Sequence, residues 1–331
     1  MLNPNFSSLS DPDTTSAKKR YQAEACVAKH TGDRTEQQDR AAVFAHPNRK
    51  GTLMAVLADG MGGHSGGAMA AEQVILKARQ NFESYAPASE SAPDLLRSII
   101  GEAHIVIKLT RFTSEQDPHS TAVVFMMQPD RADWAHCGDS RFYHFRSGAL
   151  VTRSSDHSLV EELVRKGRLD SEGALRHPNR NVLLSCLGSE REPRVDVGHV
   201  SPLVGGDAFL LCSDGLTTMI GDEKIRDILT SATSLDAAAR TLVDEANRAG
   251  GRDNITVIVF QVEDPASPLP RGEQPTMIRS GASQRAAARR EQREAGIKPP
   301  RRGGKILVGI LAVLAVLLLA AGGIFYAPKQ S

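Results

Sequence analysis

Four aspartates of this chain stand at the edge of an apolar run, each beside a small or turn-forming residue. They are Asp59 in VLADGMGGH, Asp139 in AHCGDSR, Asp214 in FLLCSDGL and Asp253 in GGRDNITVIVF. A carboxylate at the end of a buried strand is poorly solvated, so it is paired, hydrogen-bonded or bound to a cation. Any one of them is equally well explained as an Asx turn or a helix cap. Four of one kind point to a shared site. Asp-Gly at two of them also lets backbone approach a ligand closely. Oxygen donors without clustered Cys or His select hard cations such as Mg²⁺ or Mn²⁺ over zinc. Two such ions, about 3.5–4 Å apart, can hold a bridging water for in-line attack on phosphorus.

Alternation and β-branched runs predict strands near 22–29, 40–46, 52–58, 120–127, 131–137, 141–146, 195–200, 207–213 and 255–262. Helical periodicity marks 66–84, 93–113, 158–166, 222–230 and 235–249. Short strands come as neighbours and the longer helices in two blocks, which argues against βαβ winding and for an α+β sheet sandwich covered by helices.

The net charge of +1 excludes a generally basic nucleic-acid binder but hides an asymmetry. Residues 271–305 hold ten Lys and Arg against three Glu, so residues 1–270 are acidic. Residues 1–20 are rich in Ser, Pro, Asp and Thr, lack an apolar core and read as a disordered lead-in. Residues 264–305 read as a basic, Pro- and Arg-rich linker, whose Arg run either meets anionic lipid as a transient helix or stays solvated. Ile306 to Tyr326 carries no charge over 21 residues, about 32 Å of helix against a hydrocarbon core of about 30 Å. It reads as a transmembrane helix followed by a short tail, 327–331. Arg301, Arg302 and Lys305 before the span, against Lys329 after it, orient it with residues 1–305 in the cytoplasm. Cys26, Cys137, Cys186 and Cys212 show no CxxC spacing and are expected as buried, reduced core residues.

Other chemistries are excluded by spacing. Three residues between Cys137 and Arg141 are too few for a cysteine-phosphatase loop, there is no GxxxxGK[ST], and GMGGHSGG lacks the Lys and hydroxyl of a nucleotide loop.

HTGDRTEQQDRAAV, VLADGMGGHSGGAMAAE, WAHCGDSRFYHF, SSDHSLVEELVRKGRL, RHPNRNVLLSCLG, LLCSDGLTTMI and GGRDNITVIVF follow one another in order. Over residues 21–263 the chain resembles bacterial members of the metal-dependent protein phosphatase family, type 2C. The resemblance implies two packed antiparallel sheets flanked by helices, a four-layer α-β-β-α sandwich, with a dinuclear Mn²⁺ or Mg²⁺ centre at one end. It implies that Asp59 bridges both ions, Gly60 offers its carbonyl to the second, Asp214 and Asp253 hold the first, and Asp39 contacts the second directly or through water. Asp139 matches a ligand of a third, weaker ion, Asn254 an orienting residue, and Arg34 the arginine that clamps the substrate phosphate. His64 either donates a proton to the leaving oxygen or only hydrogen-bonds within its glycine loop. Gln38 stands where many relatives have glutamate and lowers the field at the second ion; Met61 stands where animal enzymes place a histidine. Residues 157–194 match the flap beside the site.

The implied protein is a membrane-tethered phosphatase with a monomeric catalytic domain, acting on phosphoserine and phosphothreonine of proteins and opposing a Ser/Thr kinase. Its partners would be phosphorylated proteins and membrane lipid, with no nucleic acid. Two alternatives stay open: a catalytically weak pseudo-phosphatase serving as an interaction module, or the same fold acting on a regulatory anti-sigma antagonist or a phosphorylated response protein. Thr276 in the linker is either a phosphosite or inert.

Overall fold

The computed structural model describes residues 21–63, 65–111 and 116–263. The lead-in, linker, apolar span, tail, Thr276 and His64 lie outside the described residues. In chain order the first strands are β1 (Gln22–His30), β2 (Arg40–Ala45), β3 (Leu53–Ala58), β4 (Gly60–Met61), β5 (His119–Ser120) and β6 (Ala122–Gln128). They are followed by β7 (Arg131–Cys137), β8 (Arg141–Arg146), β9 (Ala149–Arg153), β10 (Asp196–Val200), β11 (Ala208–Cys212) and β12 (Ile255–Glu263). The helices are α1 (Gly66–Ser84), α2 (Ala92–Thr110), α3 (Leu159–Arg165), α4 (Ser171–Arg176), α5 (Asp214–Thr217), α6 (Asp222–Ser231) and α7 (Leu235–Arg248).

Two five-stranded sheets, in the orders β1-β12-β11-β8-β9 and β10-β7-β6-β3-β2, are antiparallel throughout. The expected sandwich of two antiparallel sheets between helices is therefore present. No helix among the described residues is long and apolar enough to cross a membrane.

The strand sequences explain the four layers. Successive side chains alternate between the faces of a sheet, so a strand covered on both sides must be apolar at every position. In β3, Ala55 and Leu57 enter the core between the sheets while Met54, Val56 and Ala58 pack toward α1 and α2. In β12, Ile258, Phe260 and Val262 face that same central core while Ile255, Val257 and Val259 pack toward α6 and α7. Phe125 sits at the centre, its ring 4.9 Å from that of Phe209 and 5.2 Å from that of Phe260. Aromatic pairs at this separation add about 0.5–1.5 kcal/mol beyond the area they bury.

Two cysteines depart from expectation. Cys137 and Cys212 are buried, but Cys26 and Cys186 are partly exposed. Cys26 lies on β1, an edge strand, with its thiol 3.6 Å from Asp236 Oδ1. Short elements were also not anticipated: the β4–β5 ribbon, the edge strand β9, and α4 and α5.

Candidate metal centre

The ends of strands from both sheets meet at one end of the sandwich. There, Arg34, Asp59, Gly60, Asp139, Asp214 and Asp253 line a cavity of about 460 Å³. Asp59 follows β3 directly, and its peptide groups are pinned: its N–H donates to Thr121 Oγ1 (3.0 Å), and its carbonyl accepts from Thr121 N–H (2.9 Å) and Ser120 Oγ (3.0 Å). Thr121 Oγ1 in turn lies 2.7 Å from Ser140 Oγ, tying the Asp59 turn to the Asp139 turn. With its backbone satisfied, the Asp59 carboxylate is free to face the cavity.

Gly60 is required by space. A Cβ there would lie 2.0 Å from the carbonyl oxygen of Gly67, in the first turn of α1. Backbone meets backbone at this point, which holds the Gly60 carbonyl in place. Gly215 is constrained likewise, since its Cβ would lie 2.1 Å from the Asn254 carbonyl oxygen. That contact locks the Asp214 turn against the Asp253–Asn254 turn.

Asp253 accepts from Arg34 Nη2 (2.7 Å) and from Asn254 N–H (2.8 Å). The Asn254 amide, 4% exposed, organises the loop carrying Arg34. Its Oδ1 accepts from Gln38 N–H (2.7 Å), and its Nδ2 donates to the carbonyls of Thr31 and Glu36 (2.9 Å each). Asp39 differs from the other carboxylates. It is fully buried, does not line the cavity, and lies behind its floor, where Ser213 Oγ donates to its Oδ2 at 2.8 Å.

The electrostatics reveal what the cluster is suited to hold. Burial first, then the charges of Asp214 and Asp253, pushes the Asp39 carboxyl up to about 7. Burial, then Asp253, raises Asp214 to about 6. Asp59 is held well above the usual carboxylate range by burial and by Asp39 and Asp214, and Asp139 by burial and by Asp214 and Asp156. Asp39 Oδ1 and Asp214 Oδ1 are buried without a hydrogen-bond partner among the described residues. Carboxylates that repel one another and keep unpaired oxygens fit hard divalent cations, which neutralise the charge and take all-oxygen ligand sets.

A second group, His136, His157 and Asp196, also comes together within 4.8 Å. Arg194 grips Asp196 with two bonds (2.7 and 3.0 Å), Gly138 N–H donates to His157 Nδ1 at 3.3 Å, and His157 Nε2 lies 3.2 Å from Asp196 Oδ2, while both ring nitrogens of His136 are buried without a hydrogen-bond partner among the described residues. The group braces the Asp139 turn against β10.

Sequence reasoning missed Ser213, Thr121 and Ser140 as supports, although each adjoins a motif aspartate or its strand. It did not single out Glu36, Asn181 or Leu183, which also line the cavity, although the last two fall within residues 157–194, expected beside the site.

The chain is similar to known proteins. The family model for protein phosphatase 2C matches residues 28–249. The chain is 36% identical over 233 residues to the serine/threonine phosphatase stp of Listeria welshimeri, covering 69% of this chain and 91% of that one. It is 37% identical over 233 residues to the protein phosphatase PhpP of Streptococcus pneumoniae, covering 70% and 94%. Among solved structures, the S. agalactiae serine/threonine phosphatase superposes with a TM-score of 0.67 at 33% identity, over 73% of this chain and all of that one. The catalytic domain of the phosphatase PstP, in complex with two manganese ions, gives 0.62 at 28% identity, over 74% and 100%. The chain belongs to the protein phosphatase 2C family of metal-dependent phosphatases.

Proposed function

We propose that this protein hydrolyses phosphoserine and phosphothreonine in proteins at a dinuclear Mn²⁺ or Mg²⁺ centre, tethered to the cytoplasmic face of the membrane. The observation that carries the reading is the convergence of Asp59, Asp139, Asp214 and Asp253 on one cavity with Arg34 at its lip. Asp59 would bridge the two ions, Gly60 would offer its carbonyl to the second, and Asp214 and Asp253 would hold the first. Asp139 would serve a weaker third ion, and Asp39 would act on the second from behind the floor. When bound, the ions supply Lewis acidity that offsets the carboxylate charge and acidifies water for attack on phosphorus.

The chain's own residues do the rest. Arg34 has further N–H donors beyond the one spent on Asp253, and its planar fork suits the oxygens of a phosphate. Asn254 fixes the backbone of the Arg34 loop, so the guanidinium meets the phosphate without first ordering that loop. His64 is assigned the proton delivered to the leaving serine or threonine oxygen.

The tether rests on the uncharged run Ile306 to Tyr326 and the basic residues before it. A substrate bearing phosphoserine or phosphothreonine presupposes a Ser/Thr kinase, whose action this protein would reverse. Holding the enzyme at the membrane raises its local concentration toward membrane-bound partners.

The test is hydrolysis of a phosphothreonine peptide by the full chain in detergent with Mn²⁺, with Mg²⁺ or with chelator, beside Asp214→Asn. Metal-dependent turnover lost in the variant is expected; no turnover by folded, metal-loaded protein would sink the reading. For the tether, the full chain should sediment with membranes through an alkaline carbonate wash. Release equal to that of a variant lacking 306–331 would refute it.

A further inference from the structure

One charged residue of the cavity has no part in the proposed reaction. Glu36, Asp59, Asp139, Asp214 and Asp253 line the cavity together with Arg34. The four aspartates are given to the ions and Arg34 to the phosphate. Among the described lining residues, Glu36 is the charged residue left without either role.

Glu36 is also placed to use that charge. Its carbonyl accepts a 2.9 Å bond from the buried amide of Asn254, which fixes the backbone beneath it. Glu36 is exposed, lines the cavity, and its side chain makes no hydrogen bond or ion pair among the described residues. With the backbone fixed, only the side chain of Glu36 has to order when it meets an incoming group. Uncharged Asn181 and Leu183 also line the cavity, on a segment held by Leu159 N–H on the Val182 carbonyl (2.9 Å) and Leu184 N–H on the His157 carbonyl (2.7 Å). A peptide whose phosphorylated residue enters this cavity brings its neighbouring residues to the lining, of which exposed Glu36 is part.

We propose that Glu36 is a specificity-determining residue that selects substrates with a lysine or arginine next to the phosphorylated serine or threonine, and disfavours acidic neighbours. The inference rests on the dinuclear reading above and names the substrate class for that site. The contact is exposed, so it discriminates through attraction and repulsion at the rim and is weakened by salt.

The experiment compares two phosphothreonine peptides that differ only in carrying Arg or Glu on both sides of the phosphothreonine, assayed with the full-length enzyme and Mn²⁺. The small ester p-nitrophenyl phosphate, which has no neighbours to read, is run beside them. For the wild type, kcat/KM should favour the basic peptide about three- to tenfold at low salt, the scale of exposed charge pairs. The ratio should fall toward unity in Glu36→Gln and invert in Glu36→Lys. A structural role for Glu36 would lower both peptides together and leave the ratio unmoved, and that result would overturn the proposal. A wild-type ratio at or below unity would overturn it as well. If the small ester is hydrolysed while the peptides show no preference, only this inference fails. If neither ester nor peptide is turned over, the dinuclear reading fails and takes this one with it.

Discussion

Strand β11 carries an aspartate at each end, and the two are in opposite electrostatic states. Asp207, just before the strand, is fully buried and saturated with donors. Arg146 reaches it through Nε and Nη2 (2.6 and 2.8 Å), His144 Nε2 lies 3.2 Å away, and Val204 N–H donates at 2.9 Å. Despite burial, these partners hold its carboxyl well below the usual range. Asp214, two residues past the other end, is raised to about 6 by burial and by the charge of Asp253, with Oδ1 unpartnered. Burial alone therefore does not distinguish a structural carboxylate from a functional one. The difference lies in whether the fold supplies the counter-charge or leaves it to a ligand.

Substituting each residue by its amide should separate the two roles. Asp214→Asn is expected to lower kcat/KM for a phosphothreonine peptide by about 10³-fold or more, because it removes charge from the ion-binding cluster. The metal-free variant should nevertheless melt higher than metal-free wild type, since one member of a repelling set is gone. A lower melting temperature with activity retained would break the comparison. Asp207→Asn should do the reverse. It leaves Arg146 without its buried partner and should cost about 3 kcal/mol, or roughly 6–12 °C in melting temperature, at the low end for a broken buried pair because Arg146 is part exposed. Turnover per folded, metal-loaded molecule should be unchanged.

The same contrast sets the pH dependence of the metal-free protein. Asp39 and Asp214 have folded-state values near 7 and 6, above the unfolded value of about 4. Between these values the unfolded chain has released protons that the native state retains, so stability falls as pH rises from about 4 to about 7 and then levels. Asp207 is depressed on folding, so its contribution is present above about pH 4 and is lost on acidification. Denaturant midpoints across pH should show both limbs, with Asp214→Asn flattening the upper and Asp207→Asn the lower. Saturating Mn²⁺ should also lift the upper limb, by about 2.7 kcal/mol at a hundredfold excess over Kd. An upper limb unmoved by Mn²⁺ would detach the cluster from cation binding.

Most of this arrangement was legible in the sequence because its physics is local. Strands buried on both faces must be apolar throughout, so β3, β6, β11 and β12 stood out, and a charge at their ends was conspicuous. The β4–β5 ribbon did not stand out, since two residues of pairing leave no period to read. Edge strand β9 was lost because Leu150 and Val151 face solvent and break the usual inside–outside pattern. At the site, the four cavity aspartates were readable by type and position. The depth of Asp39, the Arg34–Asp253 bond and the sharing of one cavity by Glu36 and Asn181 were not, because each depends on segments distant in sequence. Asn254 shows why: its amide joins β12 to a loop more than 200 positions earlier.

The position of Asp39 behind the cavity floor sets the smallest of these tests. If Asp39 acts on the centre from behind, its charge must be sustained there, and Ser213 helps to sustain it, since its Oγ donates to the carboxylate and accepts from Thr256 N–H at 3.0 Å. Ser213→Ala leaves both groups short of a partner and should cost about 1–2 kcal/mol in stability. Loss of the donor also makes the Asp39 charge harder to sustain. Mn²⁺ affinity, read by calorimetry, should then fall about tenfold, as for other residues that support a ligand from outside. The rate at saturating metal should change far less, because no cavity-lining group has been removed. A stability loss with Mn²⁺ affinity unchanged would place Asp39 with Asp207, as a carboxylate that serves only the fold.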